Sequence, residues 1–298
     1  MSGTAQHRSS RTPRAAGWAL IGTGVGLTVI ILVLPLLLIV RQALGAGISA
    51  LLQNIREPDT LHALLLTCIA AVAVLPLNFA IGLSGAWLVA YHRFPGRKLL
   101  LSVSKIPISL SPIVAGVAFM MLYGQRGWFG PWLTAHDIHV VFALPAILLA
   151  TLFVSFPYLL NQLVPLMESL GHDEEIVADQ LGASGWTIFW RVTFPKIRWT
   201  VVYGLILANA RALGEFGAVS VVSGHIRGQT NTLALQLEVL YQDYNAAGAF
   251  SAAGVLALLA LSTLAAKALA TRLRARTTRT ASAVASADVS SLPLQSGR

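Results

Sequence analysis

Residues 61–89 read LHALLLTCIAAVAVLPLNFAIGLSGAWLV, an apolar run without a single aspartate, glutamate, lysine or arginine. At a rise of about 1.5 Å per residue, such a run is long enough to cross a hydrocarbon core of about 30 Å as a helix. Five more blocks of this kind follow the same pattern: Trp18 to Val40, Leu100 to Tyr123, Val140 to Leu166, Trp199 to Val222 and Ala246 to Ala270. Apolar residues make up 55% of the chain and charged ones 11%, too few to clothe a water-soluble domain of this length. The expectation is an all-α integral membrane protein with six transmembrane helices in one domain. The block after Arg8, Arg11 and Arg14 exceeds the usual apolar length of a secretory leader, so it reads as an uncleaved first helix.

The net charge of +9 does not point to nucleic acid, because the basic residues gather in short segments between the apolar blocks and in the tails. Arg93, Arg97 and Lys98 follow the second block, Arg191, Lys196 and Arg198 the fourth, and Arg272, Arg274, Arg276 and Arg279 the sixth. The opposite side holds Arg41, Arg56, Arg126 and Arg227. Basic residues near membrane ends stay on the cytoplasmic side, so both termini are expected there. This divides the chain into a basic tail over 1–17, a membrane domain over 18–272 and a tail over 273–298 that is basic at first and expected to be disordered after Ala281. Cys68 lies inside an apolar block and reads as a small hydrophobe. Prolines 76, 107, 112, 145 and 157 fall inside the blocks, where each is expected to kink its helix.

The inward loop over about 167–198 is polar enough to be wet yet patterned enough to fold. Asp173, Glu174 and Glu175 suit the first turn of one short helix, with Ile176, Val177 and Leu181 on its apolar side. Gly182 supplies a turn, and Ser184 caps a second helix in which Trp186, Phe189 and Trp190 share a face before Pro195 ends it. By periodicity alone that face suits either lipid headgroups or a protein partner.

The run LGASGW over 181–186, followed by Val192, Phe194 and Pro195, resembles the coupling loop of ATP-binding-cassette importer permeases. Gly182, Val192 and Pro195 keep that family's spacing, and Ala178 keeps its place; the family's glutamate position is Ile176 here, with Glu175 one residue earlier. FPGR over 94–97, SPIVAG over 111–116, NARALGEFGAV over 209–219, VVSGHIRGQT over 221–230 and QDYN over 242–245 resemble CysW-type sulfate permeases in particular. The resemblance implies a type I importer permease in the cytoplasmic membrane that moves sulfate, with thiosulfate as a second substrate. Its implied coupling-loop residues are Glu175, Ala178, Gly182, Ala183, Ser184, Trp186, Phe189, Val192 and Pro195. It further implies two CysA-type ATPase subunits carrying ATP and magnesium, a CysT-type sister permease, and a periplasmic or lipid-anchored sulfate-binding protein.

Arg211 and Glu215 lie within the fifth block at a spacing that puts both on one helix face, where they can pair. Each alone would cost about 2.5–3.5 kcal/mol at the centre of a membrane helix, so they should face protein or water. They read either as a neutralised structural pair or as part of the translocation path or gate. No phosphate-binding Gly-x-x-x-x-Gly-Lys-Ser/Thr motif is present, so ATP hydrolysis is expected of a partner and this chain is not expected to be an enzyme or to bind a cofactor. His136 and His139 with Asp137 are too few for a metal centre. Two alternatives stay open: a permease for another oxyanion such as molybdate, and a secondary transporter or channel that works without an ATPase.

Overall fold

The structure is a computed structural model that describes residues 14–45 and 47–290, with side chains described over 17–45 and 47–273. Arg8 and Arg11 lie outside the described residues, as does the end of the C-terminal tail. All regular structure among the described residues is helical. In chain order the elements are α1 (Arg14–Thr28), a π-helical turn (Val29–Val33), α2 (Leu34–Leu44), α3 (Ile48–Arg56), α4 (Pro58–Tyr91), α5 (Arg97–Val103), α6 (Ile106–Ser109), α7 (Pro112–Tyr123), α8 (Gly130–Ala135) and α9 (Leu144–Leu170). The second half comprises α10 (Asp173–Gln180), α11 (Gly185–Ile188), a second π-helical turn (Phe189–Thr193), α12 (Phe194–Leu213), α13 (Gly217–Val222), α14 (Leu233–Gln242) and α15 (Ala246–Ser290).

Four helical stretches are long and apolar enough to cross a membrane: Gly17–Gly45, Pro58–Tyr91, Leu144–Leu170 and Ala246–Leu273. The third apolar block is not the single helix expected. Arg97–Ser109 and Pro112–Tyr123 meet at 111°, and the pair counts as a fifth span only if both arms are taken together. Proline explains the break: Pro112 holds Ser111 in an extended conformation, and α7 starts afresh on it. The fifth block is broken as well, since α12 stops at Leu213 and α13 begins only at Gly217. Pro145 likewise sits in the first turn of its helix, while Pro76 and Pro157 are internal. Helix α15 runs through Ser290, past Ala281, in an alanine-rich stretch whose helix propensity is high.

Helices α4, α9 and α12 form the centre of the bundle. The buried side of α4 carries Ala63, Ala70, Val74, Asn78, Gly82, Ala86 and Val89, a helical stripe of mostly small residues that lets α9 come close. Leu159 of α9 is fully buried at the tightest point. A Cβ at Gly82 of α4 would lie 2.8 Å from its side chain, and one at Gly204 of α12 would lie 2.6 Å from it. Asn78 donates to the Ser155 hydroxyl at 2.9 Å, one buried polar link in an otherwise apolar contact. Helix α15 lies across α12, where Lys267 sits over the Tyr203 ring at 5.1 Å, and carries α14, α2 and α3 on its other sides. Between Gly17 and Leu44 only Ala43 is buried, so the first apolar helix offers nearly all its surface to lipid or to another chain. Cys68 is a half-buried free thiol.

Because Leu159 fills the space that two glycines leave, Gly204→Ala and Gly82→Ala are each expected to destabilise the protein by about 1–3 kcal/mol through overpacking. The check is the thermal unfolding midpoint of the detergent-solubilised protein, with Gly26→Ala, which has open space around it, as the unperturbed control.

Candidate functional site: the loop between α9 and α12

The loop starts where Gly171, at φ +67°, releases the chain from α9. Helix α10 follows with Asp173, Glu174 and Glu175 in its first turn, as the helix dipole favours. Its C-terminus is closed by paired backbone bonds: Gly182 N–H donates to the Asp179 carbonyl at 2.8 Å and Ala183 N–H to the Ala178 carbonyl at 3.1 Å. This is a Schellman cap, in which the residue at the Gly182 position must be left-handed; its φ is +81°. Ala178 and Ala183 are thus the two ends of one bond. The requirement for glycine at 182 is conformational rather than spatial, since a Cβ there would meet nothing within 4 Å.

Ser184 caps α11 as its position suggests, accepting from the Thr187 N–H at 3.4 Å and pairing with the Thr187 hydroxyl at 2.9 Å. Pro195, however, does not end a helix. From Gly185 the chain stays helical through the π turn into α12, and Pro195 lies in the first turn of α12, where the widened turn before it tolerates the missing donor. Val192 is half-buried in that π turn. The aromatic residues do not share one outlook. Phe189 turns inward to meet Trp87 of α4 at 5.6 Å, while Trp186 is 73% exposed and Trp190 packs between Trp186 and Phe194.

Several charged side chains of the loop are tied to the protein, while large apolar ones are exposed. Glu174 pairs with Lys196 at 2.8 Å, and Glu168 pairs with Arg97, whose Nε also donates to the Val89 carbonyl at 2.8 Å. Glu175 accepts from the Tyr91 hydroxyl at 2.5 Å and from the Thr193 hydroxyl, with His172 Nδ1 at 3.7 Å. Ile176, Val177, Leu181, Trp186 and Trp190 are exposed, alongside Asp173, Asp179 and Arg191. A shallow groove of about 350 Å³ between Leu83, Trp87, Gly185, Trp186 and Phe189 separates α11 from α4. Of the residues that hold the loop, the sequence reading missed Tyr91, His172 and Thr193; a tyrosine at the last helical position before FPGR carries no signal in one chain.

A second feature lies at the far end of α12. Arg211 and Glu215 do pair, at 2.7 Å, but not across one helix face, because Glu215 sits in the break after Leu213. The Glu215 side chain is 1% exposed and also accepts the Ala218 N–H at 2.8 Å, so one carboxylate joins the end of α12 to the start of α13. The two breaks meet here. A Cβ on Gly217 would lie 2.9 Å from Pro112, and one on Gly116 would lie 2.7 Å from the Ala218 carbonyl. The motifs SPIVAG and GEFGAV, far apart in sequence, therefore form one contact between α7 and α13. At the opposite end of the bundle from the loop, a cleft of about 1060 Å³ is lined by Tyr123, Arg126, Trp128, Asp137 and His139 among others. Among the described residues no group of three histidine, cysteine or acidic side chains is placed to hold a metal.

Residues 79–279 match the model of the family described as "Binding-protein-dependent transport system inner membrane component". The chain is 49% identical to the sulfate transport system permease protein CysW of Escherichia coli (strain K12) over 247 residues, which cover 83% of this chain and 85% of that one. It is 34% identical to the sulfate transport system permease protein CysT of the same organism, covering 82% of this chain and 90% of that one. A crystal structure of a bacterial ABC transporter involved in the import of the acidic polysaccharide alginate has the same fold, with a TM-score of 0.71 over 87% of this chain and 94% of that one at 15% identity.

If Glu215 serves to tie the break together, Arg211→Ala leaves a buried carboxylate uncompensated and should cost about 3–5 kcal/mol. Adding Glu215→Gln, which keeps an acceptor for the Ala218 N–H, should recover most of that loss. The yield and thermal midpoint of the two variants in detergent decide it; a double variant no better than the single one would place the role of Arg211 outside the pair.

Proposed function

The chain belongs to the family of binding-protein-dependent transport system inner membrane components, and from that premise we propose that it is a permease subunit of an ATP-driven importer of sulfate, with thiosulfate as a second substrate. The observation that carries the substrate is the 49% identity to a CysW sulfate permease along 83% of the chain. Six membrane passes with both termini in the cytoplasm complete the reading: four helices are apolar enough to span unaided, the bent α5–α7 pair gives a fifth, and α12 is the sixth. Helix α12 carries Lys196, Arg198 and Arg211 and is too charged to face lipid along its length, in keeping with its central place against α4, α9 and α15.

In this reading the loop over 167–198 is the cytoplasmic coupling element, and a CysA-type ATPase subunit with its ATP and magnesium closes on the exposed patch of Ile176, Val177, Leu181, Trp186 and Trp190. Glu175, Ala178, Gly182, Ala183, Ser184, Phe189, Val192 and Pro195 shape that element from within. A CysT-type sister permease completes the membrane pore, and a periplasmic or lipid-anchored sulfate-binding protein delivers the anion to the opposite end. Arg211 and Glu215 belong to the gate region where α7 and α13 cross. ATP chemistry belongs to the partner, and this chain supplies the moving pathway.

A strain lacking the chain should lose uptake of radiolabelled sulfate and regain it from a plasmid copy only when the ATPase subunit is also expressed; uptake that persists without an ATPase would instead indicate a secondary transporter. In the same assay Gly182→Val should abolish uptake with membrane insertion intact, because a β-branched residue is strained at φ +81°. Gly182→Asn, which tolerates that conformation, should retain a substantial part.

A further inference from the structure

We propose that Glu175 is a positioning residue that bolts the coupling loop to the inner end of α4, so that a stroke delivered to the loop moves α4 together with α12. The inference rests on the reading that an ATPase docks on this loop. Helix α10 packs mainly on α11 and the π turn that follow it in the chain, and Glu174 reaches Lys196 of α12 from its exposed side. Its tie to the transmembrane bundle is polar. One Glu175 oxygen receives both the Tyr91 hydroxyl of α4 and the Thr193 hydroxyl of the turn that opens α12, so a single carboxylate joins three elements.

The surroundings show that this contact is held rather than incidental. Glu175 is 13% exposed while its neighbour Glu174 is 70% exposed, and a carboxylate so far removed from water needs its donors. Thr193 is 1% exposed. The Tyr91 ring is fixed on two sides, stacked on Trp87 at 4.4 Å with the planes 3° apart, and against His172 at 4.3 Å. Trp87 in turn meets Phe189 of the π turn at 5.6 Å. Hydroxyl donors to a carboxylate make short, strong bonds, so pulling α10 away from α4 breaks a charge-assisted contact in a partly buried setting. Glu175 is also turned away from the apolar patch, which leaves it unavailable as a contact for a docked ATPase.

The consequence is a division of labour inside the loop. Ile176, Val177, Leu181 and Trp186 face outward, where force arrives. Glu175 sets where it goes. Without it the loop would still dock and still move α12, to which it is covalently joined, but the stroke would reach α4 only through side-chain packing, and hydrolysis would be coupled less tightly to opening of the path.

The test uses the complete complex of this chain with its sister permease, ATPase subunits and binding protein in proteoliposomes, measuring radiolabelled sulfate uptake and ATP hydrolysis in the same sample. Tyr91→Phe removes one hydroxyl and keeps the ring stack; Glu175→Gln keeps the shape and removes the charge. Each is expected to leave binding-protein-stimulated hydrolysis within about twofold of wild type while sulfate moved per ATP falls about tenfold, the size expected for losing a hydrogen bond to a charged group. The double variant should be no worse than the poorer single one. An unchanged ratio of sulfate to ATP in both single variants overturns the proposal, and so does a loss of ATPase binding in Glu175→Gln, which would make Glu175 a docking residue. A wild-type complex that hydrolyses ATP without moving sulfate would count against the importer reading itself, a separate failure.

Discussion

A peptide group without a hydrogen-bond partner costs several kcal/mol in hydrocarbon, and this constraint governs the architecture. It makes the apolar blocks helical, and it permits an interruption only where protein covers the exposed backbone. The short helices that follow two of the breaks, in the third and fifth apolar blocks, pack on one another. The chain turns at Leu110 and Ser111 before α7, and at Gly214 to Phe216 before α13, and the two short helices then cross with Gly116 and Gly217 at the contact. Glu215 supplies what the backbone lacks at its own break, accepting the Ala218 N–H from a position almost sealed from solvent. Its charge obliges Arg211 to stay close. An ion pair this deep is therefore a consequence of breaking a helix as much as a functional device in its own right.

The loop end of the bundle solves a different problem, that of being rigid in water. Here three of the acidic side chains are engaged within the protein, Glu168 with Arg97, Glu174 with Lys196, and Glu175 with Tyr91 and Thr193, while Asp173 and Asp179 stay exposed. Five large apolar side chains, Ile176, Val177, Leu181, Trp186 and Trp190, are exposed beside them, and exposed apolar groups gathered on a small folded hairpin are costly unless something covers them. That cost supports the proposed docking of a partner on this face, with Glu175 holding the hairpin to the bundle beneath it.

Much of this was legible in the chain, and the reasons differ by element. Helices Pro58–Tyr91 and Leu144–Leu170 follow from uninterrupted hydrophobicity, which is a one-dimensional signal. The turn at Gly182 and the cap at Ser184 were legible because helix termini demand particular residues in particular places. The breaks were not, because hydropathy sums over a window and cannot see that Pro112 starts a helix instead of bending one. Pro195 was misread for a related reason: a π turn ahead of it absorbs the missing donor, and nothing in the side chains of Phe189 to Thr193 announces one. Tyr91 and Thr193 were invisible as partners of Glu175, since their meeting depends on how α4 and α12 are packed and no local pattern encodes that.

Helix α12 ties these regions together mechanically. It grows out of the π turn at the loop and ends at Leu213, beside the ion pair and the crossing of α7 and α13. Twenty residues of α-helix make a rod of about 30 Å. Near its middle Gly204 lies against Leu159, at a separation that leaves no room for even a methyl group. A contact so tight resists translation of α12 along α9, and it is one point in a long interface that includes Ile197 and Val201 of α12 against Leu160, Leu163 and Val164 of α9. In the proposed cycle, α12 is therefore the element that connects the loop at Phe194 with the break that Glu215 holds. Glycine at 204 serves that connection through close packing, since any side chain there would push α12 off Leu159.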